Sequence, residues 1–141
     1  MISPYFELLI NSVDLDDPGE MDLAWKFMIE ALSRITSQLP PVARNAAALS
    51  NRFSTGVASL EEMTSERVRL WGSISGRDGS DDPEVLRIRT ALCVLYPPNP
   101  EETFDIVDHF LTFWQLGGLG NRELEAALDN NYGLTLRSRP D

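Results

Sequence analysis

The chain has 141 residues, 43% hydrophobic and 24% charged, a length and composition suited to one globular domain with its own core. A formal net charge of -10 and a pI near 4.5 argue against binding a nucleic-acid backbone or an anionic membrane surface, and favour a basic partner or simple solubility. No stretch approaches the roughly 18 continuous apolar residues of a membrane span. The opening MISPYFELLINS lacks the basic segment of a signal peptide, so the expected location is cytoplasmic.

Ser3-Pro4 opens a short helix to about Ser12, with Tyr5, Phe6, Leu9, Ile10 and Val13 as core candidates; a strand is the alternative. DLDDPGE, Asp14 to Glu20, is an acidic loop with its turn at Pro18-Gly19. A long helix is predicted from about Met21 to Leu39, with Ala24, Phe27, Met28, Ala31, Leu32, Ile35 and Leu39 on one face and Trp25 and Ile29 beside it. Pro40-Pro41 ends that helix and begins another, whose narrower stripe is Val42, Ala46, Leu49 and Phe53 and whose stop is Thr55-Gly56. SLEE, Ser59 to Glu62, matches the capping box, in which Ser hydroxyl and Glu carboxylate each accept from a first-turn N–H. The helix it starts is expected to turn Leu60, Met63, Leu70, Trp71 and Ile74 inward, with Arg67 on the same stripe. GRDGS, Gly76 to Ser80, is a loop.

The stretch Asp82 to Pro98, DPEVLRIRTALCVLYPP, organises the rest. Asp82 suits an N-cap and Pro83 the first helical position, and Glu84 complements the helix dipole. Val85, Ile88, Leu92 and Leu95 recur at helical spacing, and Ala91, Cys93, Val94 and Tyr96 make the second half apolar nearly all round, as in a helix buried on every side. Pro97-Pro98 stops it. A buried strand over ALCVLY is the rival. NPEE, Asn99 to Glu102, is predicted to start the next helix, with Phe104, Val107, Phe110, Leu111 and Trp114 inside and Asp105, Asp108, Thr112 and Gln115 outside. Gly117-Gly118 ends it. Asn121 is placed to cap a last helix bearing Leu124, Ala127, Leu128 and Tyr132, which Gly133 stops. The expectation is an all-α protein: a single domain over residues 1–141, six or seven helices around a buried central helix at about 83–96, with a loosely held tail at about 134–141. LTLR in that tail is a candidate short strand.

No P-loop is present, since Lys26 is the only lysine and no glycine-rich run precedes it. Gly117-Gly118-Leu119-Gly120 follows a predicted helix rather than a strand and reads as a turn. Cys93 is the only cysteine, which excludes an internal disulfide; within its apolar stretch it reads as a small buried hydrophobe rather than a nucleophile. His109, the only histidine, stands one helical turn after Asp105, a pairing that can orient a general base but has no nucleophile at a recognisable spacing. Glu61, Glu62, Glu66, Asp105 and Asp108 lack the Glu-x-x-His pairing of bundle metal sites, so no metal and no cofactor is expected. Arg67, Arg87 and Arg89 interrupt or flank apolar stripes. Ion pairs with carboxylates of neighbouring helices are the expected arrangement for them, and an anion pocket around Arg67 and Arg89 is the alternative. Charge is unevenly spread: -6 over residues 1–30, +3 over 31–77 and -7 over 78–141. Its densest clusters are loop-borne, Asp14, Asp16, Asp17 and Glu20, then Asp78, Asp81 and Asp82, and loops at helix ends can converge on one face for a basic partner.

ERVRLW at Glu66–Trp71 and RIRTALCVLYP at Arg87–Pro97, in a small acidic helical chain, resemble the cytoplasmic immunity proteins of bacterial polymorphic-toxin systems. The resemblance implies a non-catalytic protein that binds and neutralises a cognate toxin, without assigning any residue. Two further readings stand beside it: a small-ligand (anion) binding protein or enzyme using Arg67, Arg89 and His109, and an acidic secretion chaperone or adaptor. The oligomeric state is left open.

Overall fold

Ser3, Asp17, Ser59 and Asp82 each accept, through a side-chain oxygen, a backbone N–H two or three residues ahead, and each stands where a helical segment begins. At Ser59 the bond is reciprocated by Glu62, which completes the capping box. These local starts give, over residues 3–135 described by the computed structural model, seven α-helices and no strand among the described residues. They are α1 Pro4–Ile10, α2 Met21–Arg34, α3 Ala46–Ser54, α4 Leu60–Ser73, α5 Pro83–Cys93, α6 Thr103–Leu116 and α7 Asn121–Tyr132. Three single 3-10 turns, Pro18–Glu20, Thr36–Gln38 and Pro41–Ala43, join them. Most of the tail expected at 134–141, with much of its LTLR, lies outside the described residues.

One apolar core draws on all seven helices. Helix α5 lies in the middle of it, packing most extensively on α6 and also touching α3 and α4. Val85, Leu86, Ile88, Thr90, Ala91, Leu92 and Cys93 are buried, which accounts for a helix without a fully polar face. Helix α2 buries Ala24, Phe27, Met28, Ala31 and Leu32 against α7, α3 and α6. Phe27 meets Phe110 and Tyr132 edge-on at 6.2 and 5.8 Å. Gly133 closes α7 with φ 67°, a left-handed position that favours glycine.

Several boundaries differ from the sequence expectation, and proline accounts for two of them. The helix expected over 21–39 ends at Arg34, and only a 3-10 turn continues it. Leu39 must be extended ahead of Pro40 (φ -84°, ψ 148°), and the Ser33 and Thr36 hydroxyls donate back to the carbonyls of the preceding turn. Likewise α5 stops at Cys93, not Tyr96: Val94 and Leu95 tighten onto the carbonyls three residues back before Pro97. Helix α6 starts at Thr103, because Asn99 to Glu102 closes a separate turn in which Asn99 Oδ1 accepts from Glu101 N–H. Asn121 does not cap α7; it is the first helical residue, and its side chain accepts from Gln115 Nε2 at 2.6 Å. Two expected core residues are exposed, Leu60 at 52% and Phe104 at 37%. Leu60 lies on the first turn of α4, beyond the reach of the core that buries Met63, Leu70 and Ile74 farther along.

Candidate functional site

The end of α5 explains the arginine on the α4 stripe. Leaving the helix at Cys93 strands the carbonyls of Val94, Leu95 and Tyr96 without helical partners. Each receives a side chain from a different helix: Ser50 Oγ of α3 donates to Val94 O at 2.7 Å, Arg67 Nη1 of α4 to Leu95 O at 2.9 Å, and Trp25 Nε1 of α2 to Tyr96 O at 3.1 Å. The Arg67 guanidinium also lies 4.9 Å from the Tyr96 ring centre. A cation at a helix C-terminus complements the dipole as well. Arg87 does the same for α6, donating from Nε to Gly117 O at 2.7 Å and from Nη1 to Gln38 O at 3.1 Å. Arg89 donates from Nη1 to Asp78 O at 2.9 Å and lies between the Trp71 and Phe113 rings, 5.7 and 4.4 Å from their centres. The ion pairs expected for these three arginines are therefore absent among the described residues: their partners are carbonyls, aromatic faces and, for Arg67, the Thr64 hydroxyl at 3.3 Å. Nor do Arg67 and Arg89 form one basic pocket, since each occupies its own aromatic face.

The two acidic loops are separated. Asp14 and Asp16 line an open cleft of about 450 Å³ with Ile10, Val13 and Phe104, at the N-terminal end of α6. Asp78 receives Arg89 beside the start of α5, and Arg87, one turn into that helix, reaches Gly117 at the C-terminal end of α6. The 14 residues of α6 put about 21 Å between those ends. The single acidic face expected from convergence of the loops is thus not formed. Glu20 takes a third position, near the Tyr132 hydroxyl, whose pKa burial raises well above the usual range with Glu20 adding to it.

Around the first loop the acidity is greater than the loop alone supplies. Glu101, Glu102 and Asp105 are exposed on the turn and first residues of α6, at the same end as Asp14 and Asp16. The ion pairs of the described residues join Arg34 to Glu30 and Glu123, Arg69 to Glu66, and Arg77 to Glu84. None involves Asp14, Asp16, Asp17, Glu101, Glu102 or Asp105. Phe104, 37% exposed, shares the cleft with Asp14 and Asp16, its ring edge-on to Phe6 at 5.2 Å. Asp82 has a local task instead, accepting from Glu84 N–H as the α5 cap.

His109 is exposed and stacks on Phe113 at 5.9 Å. It borders a narrower cavity of about 340 Å³ between α4, α5 and α6, walled by Trp71, Tyr96 and Phe113. Cys93 lies at its floor, and burial pushes the thiol up to about 12, against the opposing pull of Arg89, so the reactive thiolate is not available near neutral pH. No group of three or more His, Cys, Asp or Glu side chains that could hold a metal occurs among the described residues, and no described helix is long and apolar enough to cross a membrane. The sequence reading missed Phe104 as a surface residue and Trp71, Tyr96 and Phe113 as cavity walls. A signal was present in the Glu101-Glu102 pair two residues before Phe104. Comparison with known protein families, curated proteins and solved structures gives no match.

Proposed function

We propose that the chain is a non-catalytic protein-binding module that engages a basic protein partner through its acidic end, and that, in keeping with the immunity-protein resemblance, the partner is a toxin neutralised by being covered. The observation that carries this reading is the cleft where Asp14 and Asp16 meet the half-exposed Phe104, with Glu101, Glu102 and Asp105 at the same end of α6 and no described cation paired to any of these acids. An aromatic anchor beside unneutralised carboxylates suits a basic surface: the ring supplies apolar area to bury, and the charges steer encounter and fix orientation. Asp14 Oδ1 accepts from Asp16 N–H at 3.1 Å, and Asp17 Oδ1 from Gly19 N–H at 3.0 Å, so the loop that bears the charges is locally ordered.

The test is capture of the partner with the intact chain, followed by association kinetics at ionic strengths of about 0.01 and 0.15 M, where the Debye length falls from about 30 to about 8 Å. Asp14→Asn, Asp16→Asn and Glu101→Gln together should slow association about tenfold at the lower salt, with a much smaller effect at the higher. Asn keeps the turn-forming acceptor at position 14, so the fold is preserved. Association as fast as wild type, without salt dependence, would remove the acidic-end mechanism.

A further inference from the structure

The cavity between α4, α5 and α6 has charged groups of opposite sign at its two ends. At one end Arg89 is clasped by the Trp71 and Phe113 rings, with Nη1 donating to Asp78 O. Its Nε is buried without a hydrogen-bond partner, and Nη2 forms no hydrogen bond with any described residue. Those two N–H groups form one edge of the planar guanidinium, the edge that takes a carboxylate through two parallel bonds. At the other end are Glu102 and Asp105, exposed and without a paired cation among the described residues. Helices α5 and α6 run antiparallel, so Arg89 lies beside Phe113 while Tyr96 lies toward Glu102. Asp105 and Phe113 are eight residues apart on α6, about 12 Å along its axis. Between the ends Leu92, Ile106 and the aromatic rings make most of the wall, with the His109 imidazole also on the lining, and the Trp71 indole N–H is fixed by donating to the Tyr96 hydroxyl at 3.0 Å.

We propose that this cavity is a second site, sharing Glu102 and Asp105 with the acidic end, that binds a short zwitterionic peptide of about three residues, its terminal carboxylate on the free edge of Arg89 and its amino group at Glu102 and Asp105. Three extended residues span about 10–11 Å, close to the roughly 12 Å along α6 between Asp105 and Phe113. The volume of about 340 Å³ is at the small end of the range for ligand pockets and leaves room for one large apolar side chain between the aromatic walls. A partner's cation is a poorer occupant, because Arg89 already covers the Trp71 and Phe113 faces and Arg67 stacks on Tyr96. A simple dianion is disfavoured by Glu102 and Asp105.

The probe is Ala-Phe-Ala with free termini, titrated into the intact chain and followed through the Trp71 indole N–H resonance, assigned with Trp71→Phe. Saturable movement of that resonance is expected. Amidating the peptide's C-terminus, or acetylating its N-terminus, should each weaken binding at least about tenfold, the scale of losing one charge-assisted contact. Glu102→Gln with Asp105→Asn, both on exposed positions that leave the fold intact, should weaken the free peptide but not the acetylated one. Arg89→Lys should weaken the free peptide but not the amidated one. No movement of the indole resonance at millimolar peptide, or equal binding of the free and doubly blocked forms, would overturn the proposal.

Discussion

Three consecutive carbonyls at the end of α5 are satisfied by three residues far away in the chain, and this explains side chains that otherwise look misplaced. Ser50 is a polar residue at 2% exposure, and its hydroxyl is the partner of Val94 O. Arg67 holds Leu95 O. Ser50→Ala should therefore cost about 1–3 kcal/mol, the penalty for leaving a buried carbonyl unsatisfied, and Arg67→Met a similar amount. Urea denaturation measures both; losses under about 0.5 kcal/mol would mean that water replaces the lost donors. Cys93 makes a prediction in pH. Burial raises its thiol from 9.0 to about 12, so the folded state holds that proton more tightly than the unfolded chain does. The stability this contributes is fully present below pH 9 and is lost as pH climbs through the window up to about 12. Cys93→Ala should flatten the fall in stability across that window by up to about 1.4 kcal/mol per pH unit. A slope unchanged by the substitution would show that the thiol titrates alike in both states.

At the scale of elements, packing rather than propensity sets which helices matter. Leu92 of α5 is 2% exposed at the heart of the core, whereas Val68 of α4 is 67% exposed. Leu92→Ala should cost about 2–5 kcal/mol by chemical denaturation, and Val68→Ser less than about 0.5 kcal/mol. The reverse order would mean that α5 is not the central element. What the sequence made legible at this scale is what depends on neighbours within one turn. Asp82-Pro83, Ser59 with Glu62, and Gly133 mark their helix ends because a cap needs only residues two or three apart. Helix ends ahead of Pro40 and Pro97 were set too late by several residues, since a proline acts on the residue before it and the chain must already have unwound there. The partners of Arg67 and Arg89 were beyond the sequence: Leu95 is 28 residues from Arg67, and only the tertiary arrangement shows that a helix end, not a carboxylate, faces it. For the same reason Leu60 and Phe104 looked like core residues, because periodicity describes a face of a helix and not how far along it the core extends.

Across the whole molecule, the net charge of -10 is distributed by the topology in a way the linear pattern does not reveal. Two acidic loops that are close in composition lie toward opposite ends of α6, a helix about 21 Å long. One of them gains Glu101, Glu102 and Asp105 from a segment about 85 residues later in the chain, and with them Phe104. The other holds the cap of α5 and the carbonyl that receives Arg89. The molecule therefore has one acidic end with an apolar centre, and that end is the proposed contact with a basic partner. Hydrogen–deuterium exchange of the captured complex tests this most directly. The account predicts slowed exchange confined to residues 10–17 and 101–108, and weakened at low salt when Asp14, Asp16 and Glu101 are neutralised together. Protection centred instead on residues 78–82, or on the outer face of α4 around Val68, would contradict it.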